Sequence, residues 1–263
     1  MSATDTAASG LIAVQKSIEY TANNLANAGT GGYKKEYALL ASTLYQNLRP
    51  AGAQTAAEGT QYPVGFDVGS GVQVVGTGRD YRQGSLVHTD NRFDVAIVGD
   101  GLLQIQNPDG TISYTRNGQL QLDKDGNLVN HLGYQVLNTS TIPNDATSIN
   151  ISDTGEVSGL QPGQTAPAVF GQIDIARFTN QRGLRPLGDN LYAETEASGP
   201  PTVGTPGDTG MGKLTQYSYE ASNVEAIEES TNLVRYQHIY RMNTTVFDTE
   251  KKNNESLARV IGV

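Results

Sequence analysis

A chain of 263 residues with 30 glycines, 10 prolines, no cysteine, no tryptophan and only 37% hydrophobic residues is too rich in turns for a single compact enzyme core. Its formal net charge of −9, with 18 scattered Lys and Arg, argues against nucleic acid or an anionic membrane as partner, because phosphate binding requires clustered basic groups. The missing cysteines rule out disulfides, thiolate metal ligands and a cysteine nucleophile. The N-terminal stretch has no basic region followed by an apolar one, and no apolar run approaches the ~20 residues that span a bilayer.

Residues 1–10 are rich in Ser, Thr, Ala and Gly and carry no periodic signal. From Leu11 the apolar positions Leu11, Val14, Ile18 and Leu25 form a narrow stripe at helical spacing, with Thr21 in the missing step. So thin a seam predicts a helix that packs on another helix. It should stop within 28–32, where three glycines in four residues allow a sharp exit. Asn23, Asn24 and Asn27 are poor interior helix formers, and their amides can cap the helix end or bond a neighbouring backbone.

Residues 33–48 fit either helix or extended chain, and 49–70 read as a long irregular excursion rich in Gly, Ala, Gln and Pro. Short β-type segments then follow at 72–75, 94–98, 102–106, 112–115, 119–122, 128–129, 134–137, 148–151, 169–178 and 190–193. Turn chemistry separates them, as at 107–110 (Asn-Pro-Asp-Gly), 116–118 (Arg-Asn-Gly), 123–127 and 153–155. This is the pattern of antiparallel hairpins. Residues 197–212 read as the linker out.

Beyond Gly212 neither Gly nor Pro recurs until Gly262, and 222–225 (Ser-Asn-Val-Glu) has the form of a capping box. A helix over 223–261 would be about 58 Å long. Val224, Ile227, Val234, Ile239, Met242, Val246, Leu257 and Val260 cover one broad side, while Leu233, Tyr236, Tyr240 and Phe247 occupy a second. A helix with two apolar sides needs more than one partner, so the terminal helices should be marginal alone and ordered by neighbouring copies.

No chemical site reaches the strength of these features. Residues 207–213 have the Gly-x4-Gly-Lys spacing of a phosphate loop, but Leu214 stands where Ser or Thr is required and no buried strand precedes it. Asp123, Asp125 and Asn127 begin a calcium-loop spacing that lacks the glycine at 128 and the glutamate at 134, so a hairpin turn explains them better. His88, His131 and His238 are far apart in the sequence, and no nucleophile motif accompanies them. No catalytic residue, cofactor or metal is expected.

The stretch Asn23 to Lys34 (NNLANAGTGGYK) resembles the N-terminal signature of bacterial flagellar rod and hook proteins. Residues 94–101 (DVAIVGDG), 108–111, 114–118 (YTRNG) and 126–129 are similar to the β-domain pattern of that family, and 222–225 with Glu228 and Glu229 to the start of its C-terminal helix. Within the family, 44–54 through 69–72 resemble the distal-rod members. The resemblance implies an α+β fold, with N- and C-terminal helices packed as a coiled-coil-like domain (1–35 and 220–263), an extended excursion (36–72) and an antiparallel β-rich outer domain (73–219).

It implies a structural subunit, exported by the flagellar type III apparatus without a cleaved signal peptide and self-assembling into a helical polymer. That polymer is the hollow drive shaft that crosses the periplasm to the outer membrane. Its partners would be other rod subunits, hook or hook-cap proteins and the basal-body rings, with no nucleic acid or small-molecule substrate. The expected inter-subunit packing residues are Leu11, Val14, Ile18, Asn24, Leu25, Asn27, Val224, Ile227, Leu233, Val234, Tyr236, Tyr240, Met242, Val246 and Phe247. The rod-specific excursion is carried by Tyr45, Arg49, Pro50, Gln54, Pro63, Gly69 and Gly71. The alternatives are a proximal rod subunit of the same family, or a secreted β-domain enzyme or carbohydrate-binding module.

Overall fold

The computed structural model describes residues 3–54, 59, 61–139, 141–143, 145–163 and 166–261. Two helices flank a β-rich antiparallel middle, and the chain divides into two compact units. Unit 1 comprises Met1–Leu25, Glu36–Gly78 and Glu225–Val263; unit 2 comprises Ala26–Lys35 and Arg79–Val224.

In unit 1 the helix α1 spans Ala3–Ala26, so residues 3–10, which lack apolar periodicity, are helical nonetheless. Alanine supplies the propensity, and Ser9 and Ser17 turn their hydroxyls back to Thr6 O and Ala13 O, so neither leaves the backbone to compete. The helix α2 spans Ala226–Ile261, about 54 Å, and begins three residues later than the capping-box pattern predicts. The reason is that Asn223 is bound elsewhere: its side chain accepts from Lys35 N and donates to Asp80 O. The N–H of Glu229 then closes the first helical turn on Glu225 O.

Residues 33–48, open between helix and strand in the sequence, are extended: Glu36–Ser42 pairs with Val72–Arg79. The excursion is a hairpin rather than irregular chain. Gln46–Arg49 runs antiparallel to Phe66–Val68, Gln54 bridges Gln61, and Gly52 N and Ala53 O bond the backbone of Tyr62. The Arg49 guanidinium lies 3.5 Å from the Tyr62 ring centroid and stacks across the two arms. Residues 55–58 and 60 of the predicted excursion lie outside the described residues.

Among the described residues, unit 2 holds a nine-stranded antiparallel sheet built on Leu102–Gln106, which is flanked by Ile112–Thr115 and Gln135–Val136 and also pairs with Ile175–Arg177. Neighbouring side chains of that strand serve different clusters, as the two-residue period requires: Leu103 and Ile105 join the main core with Val95, Ile97, Leu128 and Ile175, while Leu102 joins Tyr114, Phe178 and Tyr192. A three-stranded meander, Thr147–Ile151, Glu156–Leu160 and Ala168–Gln172, adds Ile149, Ile151 and Val157 to the main core.

The predicted 169–178 strand is thus two strands. The predicted linker contains Thr202–Gly204, paired with Ile175–Arg177. Two further strands, Lys213–Gln216 and Ser218–Glu220, lie where no strand is predicted from the sequence. In the phosphate-loop lookalike, Gly207 N bonds Gly212 O and Met211 N bonds Asp208 O, so those amides close a turn.

Candidate assembly surfaces

The helices of unit 1 run antiparallel. Near one end Asn24 Nδ2 donates to Glu229 Oε2 at 3.2 Å, and fourteen residues away along each helix Gly10 faces Asn243. The buried stripe of α1 is Ala13, Ser17, Thr21 and Asn24, which is small and polar. Leu11, Val14, Ile18 and Leu25, expected to form the seam, flank it half-buried. Small residues let backbones approach closely, whereas sequence periodicity weights the bulky ones, so the axis of contact is displaced by about one residue.

Asn24 is 1% exposed and is committed within the chain. Its amide both donates to Glu36 O and accepts from Glu36 N, at 2.8 Å each, which pins the strand that follows the exit turn. Val224 is likewise buried, in unit 2 and ahead of α2. Both are thus covered within the chain itself. Asn27, half-buried in the turn, takes a hydrogen bond on its carbonyl from Thr30 N.

On α2, Leu233, Tyr236, Ile239, Asn243 and Phe247 are half-buried on one side, with Glu229 fully buried at its start. Ile227 (85% exposed), Val234, Met242, Val246, Leu257 and Val260 are exposed and, at 100° per residue, share a second arc about 140° wide. Tyr240 falls on the angular range of the covered side but is 40% exposed. Every residue from 251 to 260 is exposed. No helix of the described residues is long and apolar enough to cross a membrane.

The hairpin of unit 1 is the other apolar surface. Leu44 (91% exposed), Tyr45, Leu48, Val64, Phe66 and Val68 are all uncovered, far more than scattered surface residues. Of the residues predicted for this segment, Arg49 stacks on Tyr62, Tyr45 flanks Gly69, and Gly71 adopts φ +103° beneath Ser9, whose hydroxyl accepts from Val72 N. Pro50 opens the turn in which its carbonyl accepts from Ala53 N. Gln54 bridges Gln61 near the tip, and Pro63 lies in the returning arm.

Sequence reasoning missed the charged centre at the base of unit 2. Glu220 is fully buried; Oε1 accepts from Lys34 Nζ at 2.6 Å and Gly84 N at 2.8 Å, and Oε2 from Arg116 Nε at 2.5 Å. Arg116 also donates to the carbonyls of Ile97, Gly99 and Gly101, and Lys34 to Arg82 O. Burial works to raise the Glu220 pKa, but the charges of Arg116 and Lys34 and the hydrogen bonds from Lys34 and Gly84 N outweigh it and hold the carboxyl below the usual glutamate range. Lys34 and Arg116 sit inside motif stretches, yet nothing in the sequence marks them as partners of a residue so distant.

Comparison with known proteins gives these surfaces a context. Residues 5–34 match the model described as flagella basal body rod protein, 96–159 the flagellar hook protein FlgE/F/G D1 domain, and 215–260 the flagellar basal body rod FlgEFG protein C-terminal. The chain is 41% identical to the flagellar basal-body rod protein FlgG of Buchnera aphidicola subsp. Acyrthosiphon pisum, over 95% of this chain and 96% of that one. It is 42% identical to FlgG of Caulobacter vibrioides, over 95% of each. The chain belongs to the FlgG family of flagellar rod proteins.

As a FlgG-family member it is a structural subunit of the flagellar basal body. The match also reaches FlgG of Bacillus subtilis at 33% identity over 96% of each chain, whereas FlgF of Caulobacter vibrioides is 29% identical over 95% of this chain and 93% of that one. The segments matched by the three family models fall on α1 with its exit turn, on the centre of the β unit, and on α2 with the strands before it.

Proposed function

We propose that this chain is a subunit of the distal rod, polymerising helically into a stiff hollow shaft that carries torque from motor to hook. The observation that carries this reading is α2, which has one side against α1 and a second apolar arc, from Ile227 to Val260, left bare. Neighbouring copies covering that arc would form a tube of helices. The hairpin supplies a second contact, its exposed Leu44, Tyr45, Val64 and Phe66 packing between adjacent copies. Greater identity to FlgG than to FlgF relatives favours the distal over the proximal part of the rod.

In this role the chain leaves the cell unfolded through the flagellar export apparatus. Its partners are further copies, other rod and hook components and the surrounding rings. The function in this role is mechanical. The test compares monomer with polymer by far-ultraviolet circular dichroism and limited proteolysis. Dilute monomer should show weak helicity and early cleavage after residue 250, where α2 has outrun α1, and the polymer should protect both. A dilute monomer whose last forty or so residues resist protease as well as the polymer does would refute assembly as the source of order.

A further inference from the structure

The two strands that complete unit 2 come last in its sequence and pair with its beginning. Lys213–Gln216 runs antiparallel to Val95–Val98, and Ser218–Glu220 to Leu86–His88; among the described residues neither of those earlier strands has another strand partner. Val95, Ala96 and Ile97 are buried, so without 213–216 the strand would lose its ladder partners and keep only the bond from Val95 N to Gly118 O and those from Arg116 and Gln83 to Ile97 O. Gln216 reaches further: its amide donates to Arg92 O and Ile149 O and accepts from Ile151 N. Leu214 N bonds Asp153 O. The closing segment thus joins the start of the β unit to the three-stranded meander.

The charges give the same order. Lys34 and Arg116, both buried, meet on one carboxylate, that of Glu220. Before Glu220 is present, folding would have to bury two cations side by side with carbonyls as their only acceptors, which is strongly unfavourable. The eight residues 213–220 remove both obstacles together.

We propose that residues 213–220 are a folding clasp: unit 2 stays open until this segment and its carboxylate arrive, so a chain delivered from its N-terminus remains unfolded for most of its length. Local hairpins such as 102–115 form without it, because their contacts are short-range. The inference rests on the topology of unit 2 alone, so it can fail while the rod assignment stands, and the reverse.

The test is stopped-flow refolding and unfolding of the full-length chain from urea, followed by tyrosine fluorescence. Glu220→Gln and Leu214→Ala should each slow refolding on the order of tenfold while leaving unfolding within about twofold, because a clasp acts in the transition state. Val157→Ala, in the meander, should mainly speed unfolding. Lys34→Met added to Glu220→Gln removes one of the stranded cations and should restore refolding to within about threefold of the parent. Unchanged refolding with faster unfolding for both Glu220→Gln and Leu214→Ala would overturn the clasp, and absence of rescue by Lys34→Met would overturn the role of the counter-charge. Should Leu214→Ala not fold, Gln216→Ala reads the same closure.

Discussion

Gly29 and Gly32 stand three residues apart in the turn after α1, and the structure assigns them opposite tolerances. A Cβ on Gly29 would meet nothing within 4 Å, and its backbone is one that any residue adopts. Gly32 has φ +70°, and a Cβ there would lie 2.5 Å from Asn117 N and 2.8 Å from Arg116 C. Those are backbone atoms of the segment that aims Arg116 at Glu220, so they yield only by moving the ion cluster. The left-handed conformation costs an L-residue about 1–2 kcal/mol and the displaced neighbour about 1–3 kcal/mol. Gly32→Ala should therefore lose about 2–5 kcal/mol, while Gly29→Ala stays within about 1 kcal/mol of the parent and can gain from a less flexible unfolded chain. Urea unfolding read by the near-ultraviolet signal of the 13 tyrosines would show the difference as a shifted midpoint at unchanged slope. Gly32→Asn, which tolerates positive φ but keeps the Cβ, should recover only the conformational part. Equal midpoints for Gly29→Ala and Gly32→Ala would refute the close approach of the turn to 116–117.

Glu220 has its carboxyl depressed in the folded state, so its contribution is fully present above the unfolded value and is lost as pH falls through the lower folded one. Urea midpoints against pH should fall on that acid side for the parent and flatten for Glu220→Gln. Tyr62→Ala removes the stack on Arg49, worth about 1 kcal/mol, and should speed protease cleavage in the hairpin without moving the unit 2 midpoint. Ile227→Asp with Met242→Asp should abolish sedimentable polymer while monomer stability changes by about 0.5 kcal/mol or less, since both side chains are exposed.

The central hairpin was legible because its local chemistry and its tertiary role agree: 102–106 and 112–115 occur as predicted, joined by the Asn-Pro-Asp-Gly turn in which Gly110 N bonds Asn107 O. The strands at 86–88, 213–216 and 218–220 were not, because they are short and take their partners from the far end of the unit. The capping-box pattern misled for a related reason: Ser222 does accept from Val224 N, but Asn223 is recruited by the backbone at 35 and 80, and that holds the helix back to Ala226. The two apolar sides of α2 were readable from spacing except at Val224, which precedes the helix, and Ile239, which is half-buried with Leu233 and Tyr236 and not in the bare arc. The seam of α1 was not, since close contact selects Ala13 and Ser17, which carry little hydrophobic signal. Glu220 had no local mark at all, since its meaning depends on Lys34 and Arg116, which are 186 and 104 residues away.

Those long-range ties are ion pairs and amide hydrogen bonds in a chain with no cysteine. The unit therefore closes without an oxidant, a reductant or a disulfide isomerase. It reaches the same state in a reducing compartment and in an oxidising one, and it can reopen and close again with no covalent error to repair.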